Sequence, residues 1–410
     1  MIARLPINPS EVDNVIDLWL KDQTSEPLSL TIHLPRPWLG NADGIDLDVE
    51  VAIIESALTA RVNGTTVDLT QPVRLEPVSI PKPWGAEIWY SGIEARGESQ
   101  VETAHGTLLP LSEYLALAPR RLHGNQGVIL LKVLDPHPQP VIGDLYFEVH
   151  EEKREVYVVT AIDPDAWPGG KGAIRFGMNQ TLRQKAGSDD RFRQAFLEAV
   201  KKYETIRRRI DDDNNSDNNS DNNSDNNSDN NSDNNRVDPL LELEARKAYE
   251  AFTDIRALEL SDVVVVPTWT PHSLQHGVRV VEFQSPTYER HIIAFAQKVL
   301  TQNHWDSEYA IANMSLDTPA DPLFERLDGR LERIARFDQF NVCRGVATAE
   351  PFMLPANLPY ALIVALDEPL CVGGLVLQAE QAALVPHIAL PNTDLQSQTQ
   401  SRYLAAAPGL

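Results

Sequence analysis

The sequence predicts a mainly β protein, built of sandwiches or barrels and interrupted once by helix. Three observations carry this. Short runs rich in Val, Ile, Leu and Tyr recur along the chain and are broken by Gly, Asn and 29 prolines among 410 residues, the pattern of short strands separated by turns. Helical periodicity is confined to one stretch on either side of an Asn/Ser/Asp repeat. Many strands without alternating helices favour packed sheets over a parallel α/β sheet.

Taken in order, residues 1–74 carry the strand patterns LSLTIHL and VEVAIIESALTARVNGTTVDL and no cluster of ligand-type side chains, so they form an added β-rich unit. VILLKVLD (128–135) and REVYVVTAI (154–162) read as buried strands, and WPGGKG (167–172) as a turn, since it lacks the Lys-Ser/Thr ending of a phosphate loop. A helical excursion follows over about 180–258. In DDRFRQAFLEAVKKYETIRRRI, Phe192, Phe196, Val200, Tyr203, Ile206 and Ile210 recur at steps of three and four, and LLELEARKAYEAFTDIRAL (240–258) repeats the pattern. Between them the repeat 211–235 has no apolar side chain with which to offset the entropy of ordering, and is expected to be a disordered loop. Strands resume at DVVVVPTW (262–269), VRVVEFQ (278–284), YALIVALDE (360–368) and GGLVLQAEQAALVPHIAL (373–390).

Composition excludes several functions. A net charge of −23 disfavours a surface for nucleic acid or anionic lipid. No apolar run approaches the roughly 20 residues needed to span a bilayer, and the first residues lack a secretory apolar core, so the chain is expected to be cytoplasmic and without a membrane partner. Cys343 and Cys371 are too few for a disulfide framework and read as buried thiols.

One stretch carries chemistry. GDLYFEVHEEKREVYVV (143–159) places Glu148, His150 and Glu155 within eight positions. Residues two apart on a strand share a face, so Glu148 and His150 project together, and a turn at EEKR brings Glu155 back beside them on a hairpin. Two readings stay open from these residues alone: a solvated polar hairpin, or three ligands for one metal ion. Far downstream, VVVVPTWTPH ends a strand at Pro267 and fixes His272 behind Pro271, the rigid placement a metal ligand requires.

Together, G-x-x-x-x-E-x-H-x-x-x-x-E and P-x-W-x-x-H resemble the two motifs of the cupin superfamily, with Glu148 where the first His stands and Trp269 where a Gly stands. Within that superfamily the chain is most similar to type I phosphomannose isomerases. PKPWGAEIWYSG (81–92), VILLKVLDP (128–136), FEVH, KRE, LSDVVVVPTWTPHSL (260–274) and VVEFQSPTYER (280–290) resemble that family's segments in collinear order, with Ser261 in place of another Gly.

The resemblance implies cupin jelly-roll β-sandwiches: a metal-binding domain over 75–290 containing the helical excursion, and a second, metal-free cupin-like domain over 291–410, where His387 follows a Pro as His272 does. It also implies a divalent metal, most readily zinc, held by Glu148, His150, Glu155 and His272. The implied reaction interconverts an aldose phosphate and a ketose phosphate through an enediol, with Lys153 and Arg290 contacting substrate and Glu282 moving a proton. Three departures stand out. Glu148 replaces a neutral ligand, the loop between His150 and Glu155 is short, and Glu289 is inserted between Tyr288 and Arg290. The alternative function is a metal-binding cupin that binds a sugar without isomerising it.

Overall fold

The computed structural model describes residues 6–22, 26–40, 43–103, 106–220, 238–300, 302–327 and 330–410. The chain is mainly β, as its punctuated strand pattern predicts. Leu28–Leu34, Ile45–Ile54, Ala57–Val62 and Thr65–Asp68 form an antiparallel meander, and the helix Pro9–Lys21 brings Val12 and Ile16 into the adjoining core.

Two sheets face each other around Glu148, His150, Glu155 and His272. One has six strands, in the order Val263–Val266, Glu155–Ile162, Val278–Gln284, Leu130–Pro136, Gly85–Trp89 and Val78–Lys82. The other has five, in the order Thr253–Leu258, Gly172–Met178, His272–Leu274, Phe147–Val149 and His291–Ala294. Leu134, Tyr157, Val159, Val280 and Val264 of the first pack against Ile174, Phe176, Leu274 and Ile292 of the second, which is the sandwich of a jelly roll. The strand His291–Ala294, just beyond residue 290, pairs with Phe147–Val149 and so lies in the ligand-bearing sheet.

The helices cover the outer face of the five-stranded sheet. Phe192, Phe196, Val200, Tyr203 and Ile206 are buried there with Tyr249, Phe147, Val149 and Ile293, while Ile210 is only partly buried at the edge. Alternation along Phe147–Val149 thus sends Phe147 and Val149 outward to the helices and Glu148 inward. Asp238, accepting from Leu240 N at 2.9 Å, and Pro239 start the helix Pro239–Glu250.

That helix ends earlier than its periodicity suggests. Residues 253–258, expected to be helical, form the strand Thr253–Leu258 paired with Gly172–Met178; the unpaired sheet edge offers hydrogen bonds that outweigh the weak helical pattern of TDIRAL. The helix Asp189–Ser220 runs ten residues into the repeat, and the rest of the repeat, 221–235, lies outside the described residues. WPGGKG is a turn, with Gly170 at φ 69°. Among the described residues no helix is long and apolar enough to cross a membrane.

The C-terminal half builds a nine-stranded sheet around Ala382–Pro386, Tyr360–Ala365, Ser401–Ala407 and Asn341–Ala347. Val73–Glu76 also joins it, pairing with Ala382–Pro386. Cys343 is buried there and its thiol is pushed up to about 12 by burial. Cys371, expected to be buried, is partly buried.

Candidate metal centre

The four candidate ligand residues come together from both sheets. Glu148 and His272 are direct cross-strand partners in the five-stranded sheet, so their side chains share its inner face. His150 follows Glu148 by two positions, and Glu155 opens a strand of the opposite sheet. EEKR is therefore a corner crossing the sandwich, not the turn of a hairpin. Side chains that converge on one point come more readily from two facing sheets than from one face of one sheet.

Ligand atoms of Glu148, His150 and His272 lie within 4.8 Å of one another. Glu155 Oε1 is 2.8 Å from His272 Nε2 and 3.3 Å from His150 Nε2, and Glu148 Oε1 is 3.6 Å from His150 Nε2. His150, Glu155 and His272 are fully buried, and the Glu148 side chain is 14% exposed. The solvated-hairpin reading does not survive that burial.

These residues fit a divalent cation. Despite their proximity to carboxylates, His150 Nε2 and His272 Nε2 make no hydrogen bond, and Glu148 Oε2 is likewise orphaned. Buried polar atoms without partners are rare, and here they are aimed at a common point. His272 Nδ1 donates to Thr270 O at 2.9 Å, leaving the Nε2 lone pair for coordination. Burial, with the Lys153 charge, depresses His150. Burial would lower His272 too, but Glu155 outweighs it and raises it. Against its own burial, Glu155 is held well below the usual carboxylate range by Lys153 and His150.

Local backbone explains unusual residues. A side chain at Gly143 would collide with the His137 carbonyl. At both positions where the resembled pattern has glycine, the backbone is left-handed: φ is 73° at Ser261 and 59° at Trp269. Trp269 is held there by its N–H to His150 O and its carbonyl to Ser315 N, both 2.7 Å, and its ring stacks on His291.

Beside the ligands is a cavity of about 520 Å³, walled by Lys82, Arg96, Lys132, Lys153 and Arg290 together with Glu87, Glu94, Glu148 and Glu289. Lys153 Nζ lies 2.6 Å from Glu155 Oε2, and the Arg290 guanidinium lies 4.3 Å from the centre of the Tyr146 ring. Glu282 is absent from this wall. It stands behind Lys132, 3.2 Å from Nζ, so the residue expected to move a proton reaches the cavity only through that lysine. Burial and the Glu155 charge push its carboxyl up to about 8, against the pull of Lys132.

Lys132 was not singled out by the sequence motifs. It lies in one cross-strand row with Trp89, Glu282 and Tyr157. Burial would discharge it, but Glu282 and Glu87 raise it further above the ordinary lysine range. Glu87 is also bonded by Trp89 Nε1 at 2.7 Å and paired with Lys82 at 3.0 Å. The available signal was a charge set among apolar residues in each of three strands: Lys132 in VILLKVLD, Glu282 in VRVVEFQ and Glu87 in AEIW. A second cleft, of about 500 Å³ near Val158, Leu260 and Arg402, contains none of the ligand residues.

No family model and no curated protein sequence matches the chain. Solved structures do. The mannose 6-phosphate isomerase of Bacillus subtilis aligns with a TM-score of 0.55 at 14% identity, covering 82% of this chain and 99% of that one. A mutant phosphomannose isomerase from Salmonella typhimurium aligns at 0.59 and 12%, covering 83% and 100%. A zinc-bound mannose 6-phosphate isomerase aligns at 0.59 and 13%, with the same coverage. The chain shares their cupin fold.

Proposed function

We propose that this chain is a zinc-dependent aldose–ketose isomerase acting on a sugar phosphate, of the mannose 6-phosphate to fructose 6-phosphate type. The observation that supports it is the juxtaposition of Glu148, His150, Glu155 and His272 with a cavity carrying five cationic side chains. The zinc-bound neighbour of the same fold supports the choice of ion, and two imidazoles with two carboxylates suit it.

A bound divalent ion supplies Lewis acidity toward the sugar's oxygens. The chain's own groups do the rest. Lys153, tied to Glu155, and Arg290, backed by the Tyr146 ring, present positive charge to the phosphate and hydroxyls. Lys132 is kept cationic between Glu87 and Glu282 and faces the cavity, where it stabilises the negative charge that develops as a proton leaves the carbon beside the carbonyl. With Glu282 ionised, Lys132 takes the proton leaving one carbon as it hands one of its own to Glu282, 3.2 Å away, and the reverse transfer returns a proton to the next carbon.

A second reading has an observation of its own. Glu148 makes the ligand set carry two carboxylates, and Glu87, Glu94 and Glu289 further offset the cavity's cations, which weakens the pull on a substrate oxygen. That favours a cupin that binds a sugar without turning it over. An assay of mannose 6-phosphate conversion on zinc-loaded and chelator-stripped protein separates the two. Zinc-dependent formation of fructose 6-phosphate supports the isomerase; sugar-phosphate binding by calorimetry with no conversion supports the binding protein.

A further inference from the structure

We propose that Glu289 is a positioning residue that clamps the corner between the two halves of the metal site and thereby sets how tightly and in what geometry a divalent ion is held. The inference rests on the metal reading above and concerns a residue that stands as an insertion only relative to the resembled pattern.

Only four residues, 151–154, separate His150 on one sheet from Glu155 on the other. Three consecutive amides of this corner point at one carboxylate. Glu151 N donates to Glu289 Oε1 at 2.9 Å, and Glu152 N and Lys153 N donate to Oε2 at 3.0 and 3.2 Å. His291 Nε2 lies 3.1 Å from Oε1 on the other side. Successive main-chain N–H groups converging in this way form an anion-binding nest, and charged acceptors make the stronger hydrogen bonds. Here the anion is supplied by the chain itself. Ser285 adds a fourth tie, its Oγ accepting from Arg154 N at 3.0 Å and its N–H donating to Arg154 O at 2.9 Å.

The clamp acts on the ligands through short covalent leverage. Fixing 151–153 fixes the chain leaving His150, the stem of Lys153 whose amine touches Glu155, and the entry to Glu155. A longer loop would have its own packing to hold this geometry; a four-residue corner with no strand pairing of its own has the Glu289 carboxylate and Ser285. Because Glu289 immediately precedes Arg290, the same residue also ties the cavity's arginine to the ligand corner.

The test uses the full chain with Glu289→Ala and Glu289→Gln. Three measurements are made: zinc affinity by competition with a chromophoric chelator, the visible spectrum of the cobalt(II)-loaded protein, and amide exchange at 151–153. Loss of a group that orients metal ligands typically lowers affinity about 10–100-fold. That range is expected for Glu289→Ala, with a changed cobalt spectrum and exchange at 151–153 faster by about tenfold or more. Glu289→Gln keeps one acceptor oxygen and gives a smaller loss, which also covers the case in which the alanine variant fails to fold. A residue that merely stabilised the fold would leave the cobalt spectrum of the loaded variant unchanged, and that result, or unchanged zinc affinity in both variants, overturns the proposal. Wild-type protein that takes up neither zinc nor cobalt overturns the metal reading itself, and with it this role, an outcome distinct from equal binding by wild type and variants.

Discussion

Three places in the molecule set a histidine directly after a proline, at His137, His272 and His387, and of these only His272 joins the Glu148–His150 cluster. In VVVVPTWTPH the histidine is His272, whose cross-strand partner is Glu148 and whose Nε2 faces Glu155. In AALVPH the histidine is His387, whose Nδ1 meets the Leu358 carbonyl at 2.7 Å. The strand before His387 lies against Tyr360–Ala365, and the surrounding core is Leu, Val, Ile and Ala. Proline fixes where a histidine starts from; the residues on the neighbouring strands decide whether it meets carboxylates or hydrocarbon.

The widest separation between the two regions should appear in metal content. His272→Ala is expected to lose stoichiometric metal while remaining folded, because a jelly roll does not depend on its ion as a zinc finger does, whereas His387→Ala should keep it. Elemental analysis alongside circular dichroism checks this, and equal metal in the two variants would break the comparison.

Next comes the contrast between an ionic interior and an apolar one. Lys132→Ala leaves Glu282 buried without its cation while Glu87 keeps Lys82, for an expected loss of about 3–5 kcal/mol in urea unfolding. Leu384→Ala, in the apolar core that the nine-stranded sheet shares with the N-terminal meander, should lose about 2–5 kcal/mol. The sharper readout is repair: a volume-matched Leu384→Met should recover most of its loss, while Lys132→Met should not, since Glu282 stays without its cation. Recovery by Lys132→Met would mean the charged row contributes packing alone.

Trp269→Gly should have a smaller effect. Glycine removes a left-handed strain of about 1–2 kcal/mol but gives up a ring stacked on His291, so the net change is expected within about 2 kcal/mol, measured by the same unfolding. The smallest effect is expected on removing 221–235, with stability within about 1 kcal/mol of wild type and metal content unchanged. A large loss of metal there would couple the repeat to the site.

Much of this was legible in the sequence, for identifiable reasons. Phe192, Phe196, Val200, Tyr203 and Ile206 announce a buried helix face because their period is long and unbroken, and four of the site's residues fall on two motifs. What was hidden depends on pairing between distant strands. EEKR has the charge of a hairpin turn, and nothing local says that its flanking strands join different sheets. TDIRAL satisfies a weak helical period but pairs as a strand because Gly172–Met178 needs a partner. Lys132 looks like an accident in VILLKVLD until Glu87 and Glu282 are placed in the strands beside it.

The pairing of Val73–Glu76 with Ala382–Pro386 bears on the order in which the protein is made. The first strand leaves the ribosome about 300 residues before its partner, which at roughly 5–20 residues per second is a wait of about 15–60 s. Ser401–Ala407, which separates Tyr360–Ala365 from Asn341–Ala347 in the middle of the same sheet, arrives later still. Throughout that interval Leu75 and Val73, buried in the finished protein, present an unpaired apolar edge, so synthesis is when this chain is most exposed to aggregation and most in need of a chaperone.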